Sequence, residues 1–146
     1  MAVLKAPYRV IFGDTDALGV VYHANYLRMM DMARAEWFRE FSIPPLAMFR
    51  EEEHLIVVVE MHFEHKRPAT FDELLSVECW LSRSWVRSAS IRFEYQIRHE
   101  SGELCVRGYT RHAFTRRDGS VKRPPKEFLE SLRAVAEDRT YGEEAK

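Results

Sequence analysis

ANYLRMMDMARAEWFREF, residues 24–41, places Tyr26, Met30, Ala33, Trp37 and Phe41 at steps of three and four, the spacing of one helical face. Leu27, Met29 and Phe38 widen that stripe, while Arg28, Asp31, Arg34, Arg39 and Glu40 mark a wet side. A sector this broad is more than a helix lying on a flat surface would bury, so something is expected to wrap around it. Ser42 and the Pro44-Pro45 pair are expected to end the helix, because proline cannot continue it.

The wrapping material follows directly. Leu55, Val57, Val59, Met61 and Phe63 alternate with Glu60, His62 and Glu64, and Leu75, Val77, Cys79 and Leu81 alternate with Ser76, Glu78 and Ser82. The cleanest run is residues 88–99, SASIRFEYQIRH, where Ala89, Ile91, Phe93, Tyr95 and Ile97 share one face and Ser88, Ser90, Arg92, Glu94, Gln96 and Arg98 the other. Period two at this length means strand. Ser101-Gly102 supplies a turn into a further strand over residues 104–115, and Asp118-Gly119 supplies another. With residues 8–13 as a first strand, short turns in sequence order predict an antiparallel meander. At about 3.3 Å per residue the longest run spans roughly 40 Å, against roughly 27 Å for the helix, so a twisted sheet is long enough to curl around it. After Pro124-Pro125, Phe128, Leu129 and Leu132 predict a short amphipathic helix, and the tail from Arg139 reads as frayed. The fold class is therefore α+β, with residues 1–138 as a single domain and 139–146 as a flexible tail.

Composition narrows the function. Lys and Arg total 22 against 23 Asp and Glu, so no basic excess favours nucleic acid or an anionic membrane. No segment reaches the ~20 apolar residues of a membrane span, and MAVLKAPYRV lacks the apolar run of a secretory signal. A cytoplasmic protein is expected. Cys79 and Cys105 lie in apolar alternating runs without metal or redox spacing, and read as buried free thiols. No GxSxG elbow, Walker loop or dinucleotide fingerprint occurs.

The chemistry is expected between the first strand and the helix, in FGDTDALGVVYHANY, residues 12–26. Asp14 and Asp16 lead through an apolar loop to His23 at the head of the helix. A carboxylate brought beside a helix N-terminus meets free backbone N–H groups and a positive dipole end. Hydrolysis of an activated acyl group needs such a pair: Asp16 to activate water or attack the carbonyl, and the His23 amide to stabilise the oxyanion. Gly19 would let the loop turn back and keep Asp16 near the helix end. Asp14-Thr15-Asp16 also reads as a polar turn closing a strand, and His23 as a helix-start residue. A calcium loop fails, since Leu18 and Asn25 occupy places that require oxygen ligands and a bidentate glutamate. Asp31 and Glu36 read as a solvated helix face, and His54, His62, His65, His99 and His112 as structural.

This motif resembles the 4-hydroxybenzoyl-CoA thioesterase family, most closely its Tol-Pal-associated acyl-CoA thioesterase branch, and the order of elements is similar from Tyr8 to Leu132. The resemblance implies a hotdog fold, a long central helix wrapped by a curved antiparallel sheet of five or more strands. It also implies a homodimer or homotetramer with sites between subunits, an acyl-CoA substrate, and neither metal nor cofactor beyond the CoA of the substrate. By position it makes Asp16 the catalytic carboxylate, as general base or nucleophile, and has His23 present its amide to the thioester oxygen with its imidazole also at the site. Tyr22 would line the acyl or pantetheine passage. Arg87 and Ser88, in the run WVRS, would meet the CoA phosphates from the partner subunit. Where the branch carries glycine, this chain has Leu18, so the acyl range is not carried over. Two other readings remain: an aromatic acyl-CoA hydrolase of the hydroxybenzoyl or dihydroxynaphthoyl type, and a non-catalytic acyl-CoA or acyl-carrier-protein binding module.

Overall fold

A computed structural model describes residues 2–41 and 55–141. The proline pair expected to stop the helix, and His54, lie outside the described residues. In chain order the elements are β1 (Leu4–Arg9), α1 (His23–Glu40), β2 (Leu55–His65), β3 (Leu74–Leu81), β4 (Ser90–Arg98), β5 (Leu104–Thr115) and α2 (Lys126–Val135), with 3-10 turns at Phe12–Asp14 and Arg83–Trp85. Five strands form one antiparallel sheet in the order β1-β3-β4-β5-β2.

Only β3, β4 and β5 form the expected meander. β2 does not pair with its sequence neighbour β3; it crosses to the far side and pairs with β5, Val58 opposite His112 and Phe63 opposite Gly108. The crossover makes residues 66–73 a long connection that passes under the start of α1, which matters for the site below. A Cβ on Gly108 would lie 2.0 Å from the His62 carbonyl oxygen, so only glycine allows β2 this close. The strict alternation read across β2 also breaks. A bulge between Val58 and Glu60 puts Val58, Met61 and Phe63 on the helix side, leaving Glu60 and His62 opposite Arg111 and Tyr109 on the outer side.

The helix buries Tyr26, Met29, Met30, Ala33, Trp37 and Phe38. Trp37 and Phe38 both pack edge-on against Phe93 of β4, and the Trp37 indole N–H donates to the Ala2 carbonyl at 2.9 Å. The first strand is displaced from the expected residues 8–13 to Leu4–Arg9. Its end is set by the Asp14 carboxylate, which accepts the Ile11 amide at 2.9 Å and turns the chain into the 3-10 segment. The polar face of β4 is partly covered: Arg92 and Glu94 are buried as an ion pair at 2.8 Å, with the Arg92 guanidinium over the ring of Tyr109. The end of the described chain lies along this face, where the Trp80 indole donates to the Arg139 carbonyl and the Tyr141 amide to Glu94. Residues 142–146 lie outside the described residues.

Candidate active site

Residues 14–22 fold back on themselves as a small hairpin. The Tyr22 amide donates to the Asp14 carbonyl at 2.9 Å, Thr15 bridges Val21, and the Asp16 amide donates to the Val20 carbonyl at 2.9 Å. Gly19 closes the tip, donating to the Asp16 carbonyl at 3.0 Å with φ +81, a left-handed conformation that favours glycine. A Cβ there would meet nothing within 4 Å, so backbone conformation rather than space selects the residue.

The two aspartates separate by environment. Asp14 is buried, and its Oδ2 accepts both the Tyr8 hydroxyl and the Ile11 amide at 2.9 Å. Burial, with the Asp14 hydrogen bond behind it, pushes the Tyr8 phenol above its ordinary value. Asp14 is thus a structural lock. Asp16 is half-buried, and its Oδ1 accepts the Leu18 amide at 2.8 Å. No described residue bonds its other oxygen, which is open to a reacting partner.

The hairpin runs straight into α1. Tyr22 is the N-cap residue without a side-chain cap, and no acidic residue occupies the first turn. The Asn25 amide is taken by the Tyr22 carbonyl at 2.8 Å, while the amides of His23 and Ala24 have no hydrogen-bond partner among the described residues. Two donors and the positive helix end therefore face outward beside the hairpin. The Tyr22 and His23 rings lie 4.3 Å apart at 44°. Phe12, Leu18, Tyr22 and Phe71 are exposed around this end and give it an apolar rim.

Two supports were not singled out from the sequence. Asn25 donates its side-chain amide to the Asp14 carbonyl at 2.8 Å, tying helix to hairpin. The residue 66–73 connection backs the hairpin, with the Val21 amide on the Ala69 carbonyl at 2.8 Å and Val20 bridging Thr70. Tyr26 accepts the Ala69 amide at 3.2 Å, and burial raises its phenol well above the ordinary range. Asn25 stands in the motif and was legible there. The connection was not, because its partners come from a crossover.

Asp16, Gly19, Tyr22 and His23 thus share one end of the molecule. Arg87 and Ser88 do not join them within the chain. They are exposed in the turn before β4, with the Arg87 guanidinium 4.0 Å over the Trp85 ring. β4 starts beside them at Ser90 and ends at Arg98, opposite Ser76 near the start of β3. The hairpin's backing at Ala69 and Thr70 leads into that start of β3, so the length of β4, roughly 27 Å, separates the two sets. No helix among the described residues is long and apolar enough to cross a membrane.

Residues 10–133 match the sequence profile of the thioesterase-like superfamily. An acyl-CoA thioesterase, YbgC, of Haemophilus influenzae is 37% identical over 91 residues, 62% of this chain and 65% of that protein, so the match spans just under two thirds of the relative's length. An acyl-CoA thioester hydrolase, YbgC, of Escherichia coli O6:H1 is 35% identical over 95 residues, 65% of this chain and 69% of that protein. In fold the chain is similar to a DHNA-CoA thioesterase of Staphylococcus aureus, with a TM-score of 0.83 at 21% identity over 92% of this chain and 91% of that one. The fold is the hotdog fold.

Proposed function

Because the chain belongs to the thioesterase-like superfamily, we propose that it hydrolyses an acyl-CoA thioester to free carboxylic acid and CoA at the end of the sheet where the hairpin meets α1. What supports this reading is that one short segment carries both groups, an Asp16 carboxylate oxygen left open in the hairpin and the unpaired His23 and Ala24 amides at the helix start it leads into. The YbgC relatives supply the substrate class.

As base, Asp16 takes a proton from water while the oxygen adds to the thioester carbon. The resulting oxyanion is held by the His23 amide, and collapse expels the CoA thiolate, which takes up the proton. As nucleophile, Asp16 attacks the carbon itself, and water then cleaves the mixed anhydride. Neither route uses a metal or redox cofactor. Label found in the Asp16 carboxylate after a single turnover in ¹⁸O water marks the second route with water opening the anhydride at the aspartyl carbon, and trapping of the acylated Asp16 marks it when water attacks the acyl carbon instead.

The enzyme works as a homodimer or homotetramer in the cytoplasm. β2 is an edge strand on which Val58, Val59 and Met61 are exposed, a surface that calls for cover by a second copy. Joining two copies also offers Arg87 and Ser88 a route to a partner's Asp16, for contacts to the CoA phosphates. The free, buried thiols of Cys79 and Cys105 suit a reducing compartment. The decisive assay measures free thiol released from short, long and aromatic acyl-CoAs, with Asp16→Asn alongside. Turnover that collapses in the variant while its fold persists supports the reading, and full activity of Asp16→Asn defeats it.

A further inference from the structure

We propose that His99, acting through Glu73, is a positioning residue that fixes residues 66–73 against the Asp16 hairpin and thereby sets the turnover rate. The inference rests on the hydrolase reading for its rate, but not for its geometry.

His99 lies where β4 turns into β5 and is only 8% exposed. Its Nδ1 is 2.6 Å from Glu73 Oε1 and its Nε2 is 3.3 Å from the Arg67 carbonyl. Both partners are acceptors, one at each side of the ring, so the His99 side chain sits between the two ends of the connection and clamps them. Glu73 spends its other oxygen inside the loop, where Oε2 accepts the Thr70 amide at 2.6 Å and the Thr70 hydroxyl at 3.2 Å. Burial would raise the Glu73 carboxyl, but the Thr70 amide and His99 outweigh it and hold the carboxyl below its usual range.

Thr70 and Ala69 are the residues that meet the hairpin, at Val20 and Val21. The path is short: His99 to Glu73, Glu73 to Thr70, Ala69 to Val21, and Val21 across to Thr15 beside Asp16. The loop is not relaxed either. Asp72, immediately before Glu73, holds φ 69, a left-handed conformation that costs a non-glycine residue. Its amide is anchored on the Val10 carbonyl at 3.0 Å, and its carbonyl accepts Arg9 at 2.7 Å. Such a segment keeps its shape only while its ties hold, and a misplacement of the order of 1 Å is enough to cost about 10²-fold in rate.

The test compares His99→Leu, Glu73→Gln and the double variant with the wild-type protein, on whichever acyl-CoA the wild type turns over best, with rates referred to folded protein. Each single variant is expected to lose about tenfold in kcat with KM within about twofold, and the double variant to lose no more than the worse single one, as members of one unit do. Hydrogen exchange at the Val21 and Thr70 amides is expected to speed in all three while the β4 core amides stay protected. A role confined to stability would lower Tm and leave this kcat and exchange pattern unmoved. Near-wild-type kcat in both singles, additive losses in the double, or unchanged Val21 exchange each overturn the inference. If His99→Leu does not fold, Glu73→Gln, which keeps volume and an acceptor for Thr70, decides by the same readouts. Absence of wild-type turnover on any acyl-CoA would defeat the hydrolase reading instead, and Val21 exchange would still decide the positioning.

Discussion

The two ends of the curved sheet are built by different rules. At the hairpin end residues 14–22 are bonded across the hairpin and tied to the helix through Asn25 and to the β2–β3 connection through Val20 and Val21, and buried Asp14 takes two hydrogen bonds. At the other end Arg87 and Ser88 stand exposed on a turn, the arginine resting on Trp85. The first end is pre-organised, as chemistry at a carbonyl requires. The second can adapt, which suits a contact to a charged, solvated part of a substrate. Substitutions at the two ends should therefore fail in different ways.

The largest effect is expected at Asp16. Asp16→Asn removes the base or nucleophile but can still accept the Leu18 amide, so kcat should fall by about 10²–10⁴-fold while Tm barely moves. Two residues earlier the pattern should invert in origin. Asp14→Ala removes the acceptor of the Tyr8 hydroxyl and the Ile11 amide, at about 0.5–1.5 kcal/mol each, and should appear as a loss of about 1–3 kcal/mol in urea denaturation. Equal stability of the two variants would erase the distinction between lock and reagent.

Between the two ends lies a group that should give the fold an acid limit. His112 is buried under α1 with Nε2 2.8 Å from Thr110 Oγ1, and burial, aided by Arg34, depresses its imidazole to about 3. The unfolded chain, with an ordinary histidine near 6.5, takes up this proton first as pH falls. Its contribution to stability is therefore complete above about pH 6.5 and lost progressively down to about pH 3, at no more than about 1.4 kcal/mol per unit. His112→Gln should flatten that part of the stability profile by equilibrium denaturation across the range.

Much of this was legible in the chain. Residues 24–41 read as helix because an unbroken apolar stripe admits no other period, and β4 read as strand for the same reason. The Asp16 to His23 segment was visible because its acid, glycine and helix start are local. What sequence did not carry is pairing at a distance. The place of β2 beside β5 depends on Gly108 making room for Phe63, and the bulge after Val58 turns a continuous alternation into two half-patterns. His99 looked structural since its partners, Glu73 and Arg67, lie across a crossover that no spacing announces. The burial of Arg92 and Glu94 likewise required residues 139–141 to lie along the outer face.

Smaller effects test how much the exposed groups add. His23→Ala keeps the backbone donor, so its loss should stay well under that of Asp16→Asn, on the order of tenfold; an equal loss would make the imidazole itself essential. The smallest effect is expected at the adaptable end. Arg87 is exposed and held by a single aromatic face, and an interaction of that kind with a phosphate is worth on the order of 1 kcal/mol. Arg87→Ala should therefore raise KM for acyl-CoA about three- to tenfold and leave kcat in place. A thioester truncated to its pantetheine end, which has no nucleotide phosphates, should show no change at all. A KM rise shared by the truncated ester would place Arg87 against the acyl or pantetheine portion. A kcat loss would mean that this turn shapes the chemistry itself, and the contrast between a rigid and an adaptable end would then no longer hold.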